Sequence, residues 1–361
     1  MPDLGGFNQI LFFLLVITPI VFIHELGHYW AARRAGVVVE VFSIGFGPEL
    51  YAWVDKNGTR WRIGALPLGG FVKMRGDQNA ASMTSASARE IEGSFAGAGV
   101  FRRIAIVAAG PAANFLLGIF LSAGVYMGAG KTFIPPIIGE VMEEGAAMEA
   151  GLKEGDKILA IDGSEIGDFN ELRALIFENP DKEVFFEVER QGDIFNLPVQ
   201  LKSSYSKEYD ITFGVLGVRS SAAGEFRKLG ISEAFYVASA DTLNLCAAML
   251  RGIGRLVTGQ ASGGEIGGPV RIAELSADAA QQGLVAFIIF TALISINLGL
   301  INLFPIPALD GGHLVFFLIE AVIGRPLPDK MQERLNRLGV SLLLSLMVVV
   351  ISLDIVRKFT S

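Results

Sequence analysis

The stretch that most restricts this chain runs from Phe7 to Tyr29, FNQILFFLLVITPIVFIHELGHY. It has the apolarity and length of a membrane-crossing helix, which needs roughly 20 residues, yet it carries His24, Glu25 and His28 towards one end. On a helix, positions i and i+4 share a face, so two imidazoles at that spacing can grip one Zn²⁺. The glutamate beside the first histidine is then placed to act as general base towards a water. A five-residue pattern of this kind arises by chance in long chains. An acid deep in a spanning helix is rarer, because its insertion costs on the order of several kcal/mol and marks a functional position. The competing reading is a soluble core helix with two hydrogen-bonded histidines.

Composition favours the membrane. Of the 361 residues 51% are hydrophobic and only 19% charged, with a mean hydropathy of +0.48. That is too apolar for a soluble protein of this size and calls for several spans. No nucleic-acid-binding motif is present, so no nucleic acid partner is expected. The one cysteine, Cys246, excludes an internal disulfide and a cysteine-based zinc cluster. Three histidines occur, two of them in the motif, so a third ligand has to come from His313 or from a carboxylate. No basic run precedes the first apolar stretch, which is expected to be a retained span rather than a cleaved signal.

Taken in order, residues 1–36 hold the first span, with Pro19 expected to bend it. Arg33 and Arg34 mark its end as cytoplasmic. Residues 37–99 change character: Gly-rich β-formers flank Asp55-Lys56-Asn57-Gly58, a hairpin signal. Such a hairpin is either a small soluble element or one that dips into the membrane face and offers an edge to an unfolded substrate strand. Gly69 and Gly70 in its second strand are expected to touch substrate. Ser87-x-x-Glu90 is a candidate capping box. Residues 100–130 hold a second span, with Gly110, Pro111 and Asn114 inside it; asparagine there is expected to face protein rather than lipid.

Between Arg33 and Arg103 there are ten Lys/Arg against six Asp/Glu, and between Lys131 and Lys228 eleven against nineteen. The first segment is therefore expected on the cytoplasmic side and the second across the membrane. Residues 131–205 read as a compact α+β domain, and the GL-x-x-GD-x-I-x-x-I-x-G run from Gly151 to Gly163 resembles a PDZ domain, a module that captures peptide termini by strand addition. Residues 206–283 are expected to be a linker, an amphipathic helix from about 232 to 258, and a joint at GGEIGGP. A third span at about 284–303 leads into NLFPIPALDGGH, within a unit of 284–323. Residues 324–361 supply a basic loop and a fourth span at 338–355. The fold class is thus a polytopic α-helical membrane protein with about four spans, a membrane-associated β-hairpin and one inserted PDZ-like domain. Charge alone returns Asp310 to the side where His24 and His28 end.

Two histidines, one carboxylate and an open position make the site of a hydrolytic zinc enzyme. His24, His28 and Asp310 are the expected ligands and Glu25 the expected base. Asp310 has a structural rival role as a helix N-cap, and His313 competes for the third ligand position. Asn297 and Asn302 stand ready to hydrogen-bond a substrate backbone or developing oxyanion, or to join helices. A membrane-anchored PDZ scaffold with a vestigial metal site is the alternative from another class, and a metal transporter a third.

HELGHY in the first span, GPAANF in the second, one PDZ-like domain and NLFPIPALDGGH after the third together resemble the site-2 protease family of intramembrane zinc metalloproteases. Within it, the likeness is nearest to the bacterial regulator-of-sigma-E protease group. The resemblance implies zinc on His24, His28 and Asp310, catalysis by Glu25, and substrate contact at Asn302 and along residues 37–76. It implies single-span membrane proteins as substrates, an inner-membrane location and a periplasmic PDZ module that filters substrates by size. The chain has room for one such module, where well-known members carry two in tandem.

Overall fold

The computed structural model describes residues 5–76, 90–206, 211–221, 224–257 and 268–360. Ser87 of the candidate capping box and residues 263–267 of the glycine-rich joint lie outside them. The chain divides into two compact units, one formed by residues 1–125, 232–249 and 267–361, the other by 126–231 and 250–266.

The first unit opens with α1 (Gly5–Arg34), which runs unbroken through Pro19. A hairpin follows, β1 (Val39–Val54) and β2 (Arg60–Met74). The two strands do not pair along a single register. Phe42 faces both Trp61 and Val72, and Ile44 both Ile63 and Gly70. The second strand therefore doubles back along the other side of the first, leaving Gly70–Met74 as one edge. Next comes α2 (Val100–Gly128).

The end of α1, the hairpin and α2 share a core of Tyr29, Val39, Phe42, Val72 and Ile106, which Phe317 joins from the helix Asp310–Ile323. Burying side chains of this size stabilises by roughly 1.5–3 kcal/mol each. Small residues bring the helices together: a Cβ on Gly27 would lie 2.3 Å from the Ala109 carbonyl oxygen. Arg103, only 4% exposed, is held by Glu320 through two hydrogen bonds of 3.1 and 2.7 Å.

At the hairpin turn Asp55 accepts from the Asn57 and Thr59 backbone N–H groups, the Trp61 indole and the Tyr29 hydroxyl. The turn is thereby tied to the helix that bears the histidines. Partial burial raises the carboxyl pKa, but these donors outweigh it and hold it at about 2, below the ordinary 3.8. A depressed folded pKa contributes stability above the unfolded value, and that contribution is lost as pH falls from about 4 through about 2. All three tryptophans, Trp30, Trp53 and Trp61, lie in α1 or the hairpin, so intrinsic fluorescence reports on this region. Wild type should show a fluorescence transition in that acid window that Asp55→Asn lacks; identical titrations would deny Asp55 this role.

The second unit contains β3 (Lys131–Phe133), β4 (Ile138–Val141), α3 (Ala146–Ala150), β5 (Lys157–Ile161), β6 (Ser164–Glu165) and α4 (Phe169–Phe177). It continues with β7 (Glu183–Arg190), β8 (Asp193–Gln200), β9 (Lys202–Ser206), β10 (Ile211–Val215), β11 (Val218–Ser220) and β12 (Glu225–Arg227). Strands β6-β5-β7-β8 form an antiparallel sheet over a core of Ile158, Leu172, Phe186, Val188 and Val199. Asp156, fully buried, is paired with Arg190 at 2.6 Å.

The expected linker beginning at 206 is corrected here. Residues 211–227 supply three strands, β11 pairing with β4 and β12 with β3, and Leu216 enters the core. The partners of β11 and β12 lie roughly 80–95 residues earlier in the chain, beyond the reach of local pattern, whereas β10 pairs with the adjacent β9.

The chain ends with α5 (Ile231–Val257), α6 (Pro269–Gln282), α7 (Leu284–Asn302), α8 (Asp310–Ile323) and α9 (Asp329–Thr360). Helix α6 falls in the 206–283 segment, where the one expected helix ended near 258. It is held by packing, with Ile272 against the cluster of Val16, Ile20 and Ile294. Among the described residues, α1, α2 and α7 are long and apolar enough to cross a membrane. Helix α9 covers the stretch expected as a fourth span.

Candidate metal centre

His24 and His28 sit one turn apart on α1, both buried. Their Nε2 atoms are 3.2 Å apart. Asp310 arrives from a distant part of the chain, its Oδ2 lying 3.1 Å from His24 Nε2 and 3.5 Å from His28 Nε2. The loop that delivers it is tightly folded: a Cβ on Gly311 would lie 2.2 Å from the Phe304 carbonyl oxygen, and one on Gly312 2.4 Å from that of Ile306. The N-cap of α8 is Leu309, and Asp310 is the first helical residue. Its carboxylate is turned to the histidines instead of capping the helix.

Three acceptor atoms at these separations repel one another unless a proton or a cation lies between them. Zinc held by tetrahedral ligands at about 2.0–2.1 Å keeps its donor atoms about 3.3 Å apart, which is the spacing seen. Asp310 Oδ2 is buried and has no hydrogen-bond donor among the described residues. His28 Nδ1 lies 2.9 Å from the Ile106 carbonyl oxygen. A carbonyl only accepts, so the proton sits on Nδ1 and the Nε2 lone pair points inward. His24 Nδ1 lies 3.2 Å from the side-chain amide of Asn114. The residues present fit a zinc ion.

Beside this cluster is a cavity of about 140 Å³ lined by His24, Glu25, His28, Gly70, Phe71, Val72, Met74, Val107, Ala308, Leu309, Asp310 and His313. Glu25 accepts a hydrogen bond from the Val72 backbone N–H, so the edge of β2 and the carboxylate share one wall. Gly70 is what lets them meet: a Cβ there would lie 2.7 Å from the Ser43 carbonyl oxygen and 3.1 Å from Glu25 Cγ. Gly69 faces the ring of Phe46 and does not line the cavity.

His313 lines the cavity, but its ring packs on Phe316 and Phe317, and it is not in the ligand cluster. Asn302 Nδ2 lies 3.5 Å from His24 Nε2. Asn297 does not line the cavity, and its Oδ1 is buried with no partner among the described residues. Two residues not assigned to the site beforehand border it. They are Asn114, and Gly110, where a Cβ would lie 2.3 Å from His28 Nε2. The signals for them were the polarity of an asparagine within a span and the GPAANF motif that contains both.

A buried cluster of two imidazoles and a carboxylate, with a glutamate at the next position and a cavity beside it, is an arrangement that could hold a metal ion for hydrolysis. The model of peptidase family M50 matches residues 12–346. A protein of Agrobacterium fabrum named "Putative zinc metalloprotease" is 40% identical, the match covering 93% of this chain and 92% of that one. One of the same description from Rickettsia conorii is 38% identical over 98% of this chain and 99% of its own length. Metalloprotease MmpA of Caulobacter vibrioides is 34% identical over 96% and 94%. The chain belongs to peptidase family M50 and is a membrane-embedded zinc metalloprotease.

Proposed function

We propose that this protein hydrolyses peptide bonds within or near the transmembrane segment of single-span membrane proteins, with His24, His28 and Asp310 binding zinc and Glu25 as general base. The observation that carries this reading is the convergence of the three ligand atoms beside Glu25, at one end of a helix apolar enough to span. Zinc, when bound, polarises a carbonyl and brings the pKa of a water to roughly 7.

The chain's own groups do the rest. The Glu25 carboxylate takes the proton from the attacking water and returns it to the leaving amine. Asn302, beside His24, donates to the oxygen on which negative charge develops. A helical substrate has its carbonyls hydrogen-bonded internally, so it has to unwind before attack. The Gly70–Met74 edge of β2 would pair with the freed amides, which are costly to leave unsatisfied in an apolar site. Gly69 shapes that edge, and Asn297 is a further candidate for substrate contact.

Within the family, the regulator-of-sigma-E protease group is the proposed nearest kin, acting in regulated intramembrane proteolysis or on remnant signal peptides. The charge asymmetry supports four spans in a bacterial inner membrane, with the metal site near the cytoplasmic side and residues 131–228 periplasmic. The GL-x-x-GD run supports a PDZ-like domain that takes peptide termini.

The test is cleavage of a tagged single-span substrate in proteoliposomes, with the metal stripped by chelator and restored by added zinc. Cleavage within the span that disappears on stripping and returns with zinc is expected. Cleavage indifferent to the chelator would refute the metal assignment, and zinc-loaded protein without cleavage of any such substrate would favour a scaffold.

A further inference from the structure

The GPAANF motif of α2 contains one polar side chain, Asn114, which is 0% exposed. Its Nδ2 lies 3.2 Å from His24 Nδ1, the nitrogen turned away from the ligand cluster. The residue is anchored from the other side as well. The Ser295 hydroxyl donates to its backbone carbonyl at 2.8 Å, and a Cβ on Gly299 would lie 3.3 Å from its Cβ, so α7 packs directly upon it.

The two histidines are therefore oriented by different chemistry. His28 has a carbonyl behind it, which fixes one tautomer. His24 has an amide, which can accept or donate according to the way it is turned, and the two ends of an amide are assigned from their partners. As the amide stands, Nδ2–H donates to Nδ1, which leaves the imidazole proton on Nε2. With a cation on Nε2 the proton has to move to Nδ1, where an N–H would face an N–H. Turning the amide over places Oδ1 there, an atom that is buried and lacks a partner among the described residues in the first orientation.

We infer that Asn114 is a positioning residue for zinc, its side-chain carbonyl accepting from His24 Nδ1–H in the loaded enzyme and so holding the Nε2 lone pair on the metal. This rests on His24 being a ligand. Groups that orient a ligating imidazole are generally worth ten- to a hundredfold in metal affinity.

The experiment is zinc affinity by chelator competition for wild type, His24→Ala, Asn114→Leu and Asn114→Asp, together with long-range ¹H–¹⁵N spectra of the histidine-labelled, zinc-loaded wild type. With only three histidines in the chain, the spectra assign directly. Asn114→Leu should bind zinc ten- to a hundredfold more weakly, and Asn114→Asp, which keeps an acceptor, should recover most of that. The wild-type spectrum should show His24 protonated on Nδ1. Wild-type affinity in Asn114→Leu, or a zinc-loaded His24 without a proton on Nδ1, would overturn the inference while leaving the metal centre intact. Failure of wild type to bind zinc, or unchanged binding in His24→Ala, would overturn the metal assignment itself. Should Asn114→Leu not fold, the wild-type spectrum still decides.

Discussion

Glu25→Gln is expected to slow cleavage by about 10²–10⁴-fold, the usual contribution of a positioned general base, while the protein still binds zinc. Glutamine has the same shape, keeps an oxygen to accept from the Val72 N–H, and leaves the three ligand atoms untouched. What it loses is the ability to take a proton. The measurement is single-turnover cleavage of a membrane substrate, with zinc content determined on the same sample. A full rate at full zinc occupancy would remove Glu25 from the mechanism. A lost rate with lost zinc would instead give it a part in holding the site together.

The second large effect is expected at Gly110. An alanine Cβ there would lie 2.3 Å from His28 Nε2, about 1 Å inside ordinary van der Waals contact. Neither partner has room to withdraw. Helix α2 touches α1 backbone to backbone at Ala109 and Gly27, and the His28 ring is tied through Nδ1 to the Ile106 carbonyl. The ring has to leave its place, so Gly110→Ala should weaken zinc binding by at least the ten- to hundredfold that loss of an orienting partner costs. Overpacking adds a destabilisation of about 1–3 kcal/mol. Chelator competition and thermal unfolding measure the two separately. Retention of both affinity and stability would mean that α1 and α2 can slide apart at this contact.

The expectations that rested on short-range physics agree with the structure most closely. The i, i+4 spacing of His24 and His28 is a property of one helix, and it puts both imidazoles on one face whatever the remainder of the chain does. Asp55-Lys56-Asn57-Gly58 joins β1 to β2 because an aspartate that accepts from its own turn amides needs only neighbours to do so. Helices α1, α2 and α7 are legible for a similar reason, since a run of apolar residues long enough to span needs no partner to be recognised.

Expectations that depended on distant partners fared differently. Strands β11 and β12 read as linker because they are three residues long and pair with β4 and β3, far back in the chain. Helix α6 is recognisable only from the cluster it closes around Val16 and Ile20.

The sequence by itself determined that this chain belongs in a membrane and that one of its apolar helices carries two imidazoles at metal-ligand spacing with a carboxylate between them. It also narrowed the third ligand to a carboxylate or His313. Only the tertiary structure brings Asp310 Oδ2 to within 3.5 Å of both imidazoles and packs His313 against Phe316 and Phe317, which favours the carboxylate. The same holds for Gly110 and Asn114, whose importance comes from atoms more than 80 positions away. The physical reason is range: helical periodicity and transfer free energy act between neighbours along the chain, whereas a metal centre is a meeting of acceptor atoms set by packing between segments hundreds of residues apart.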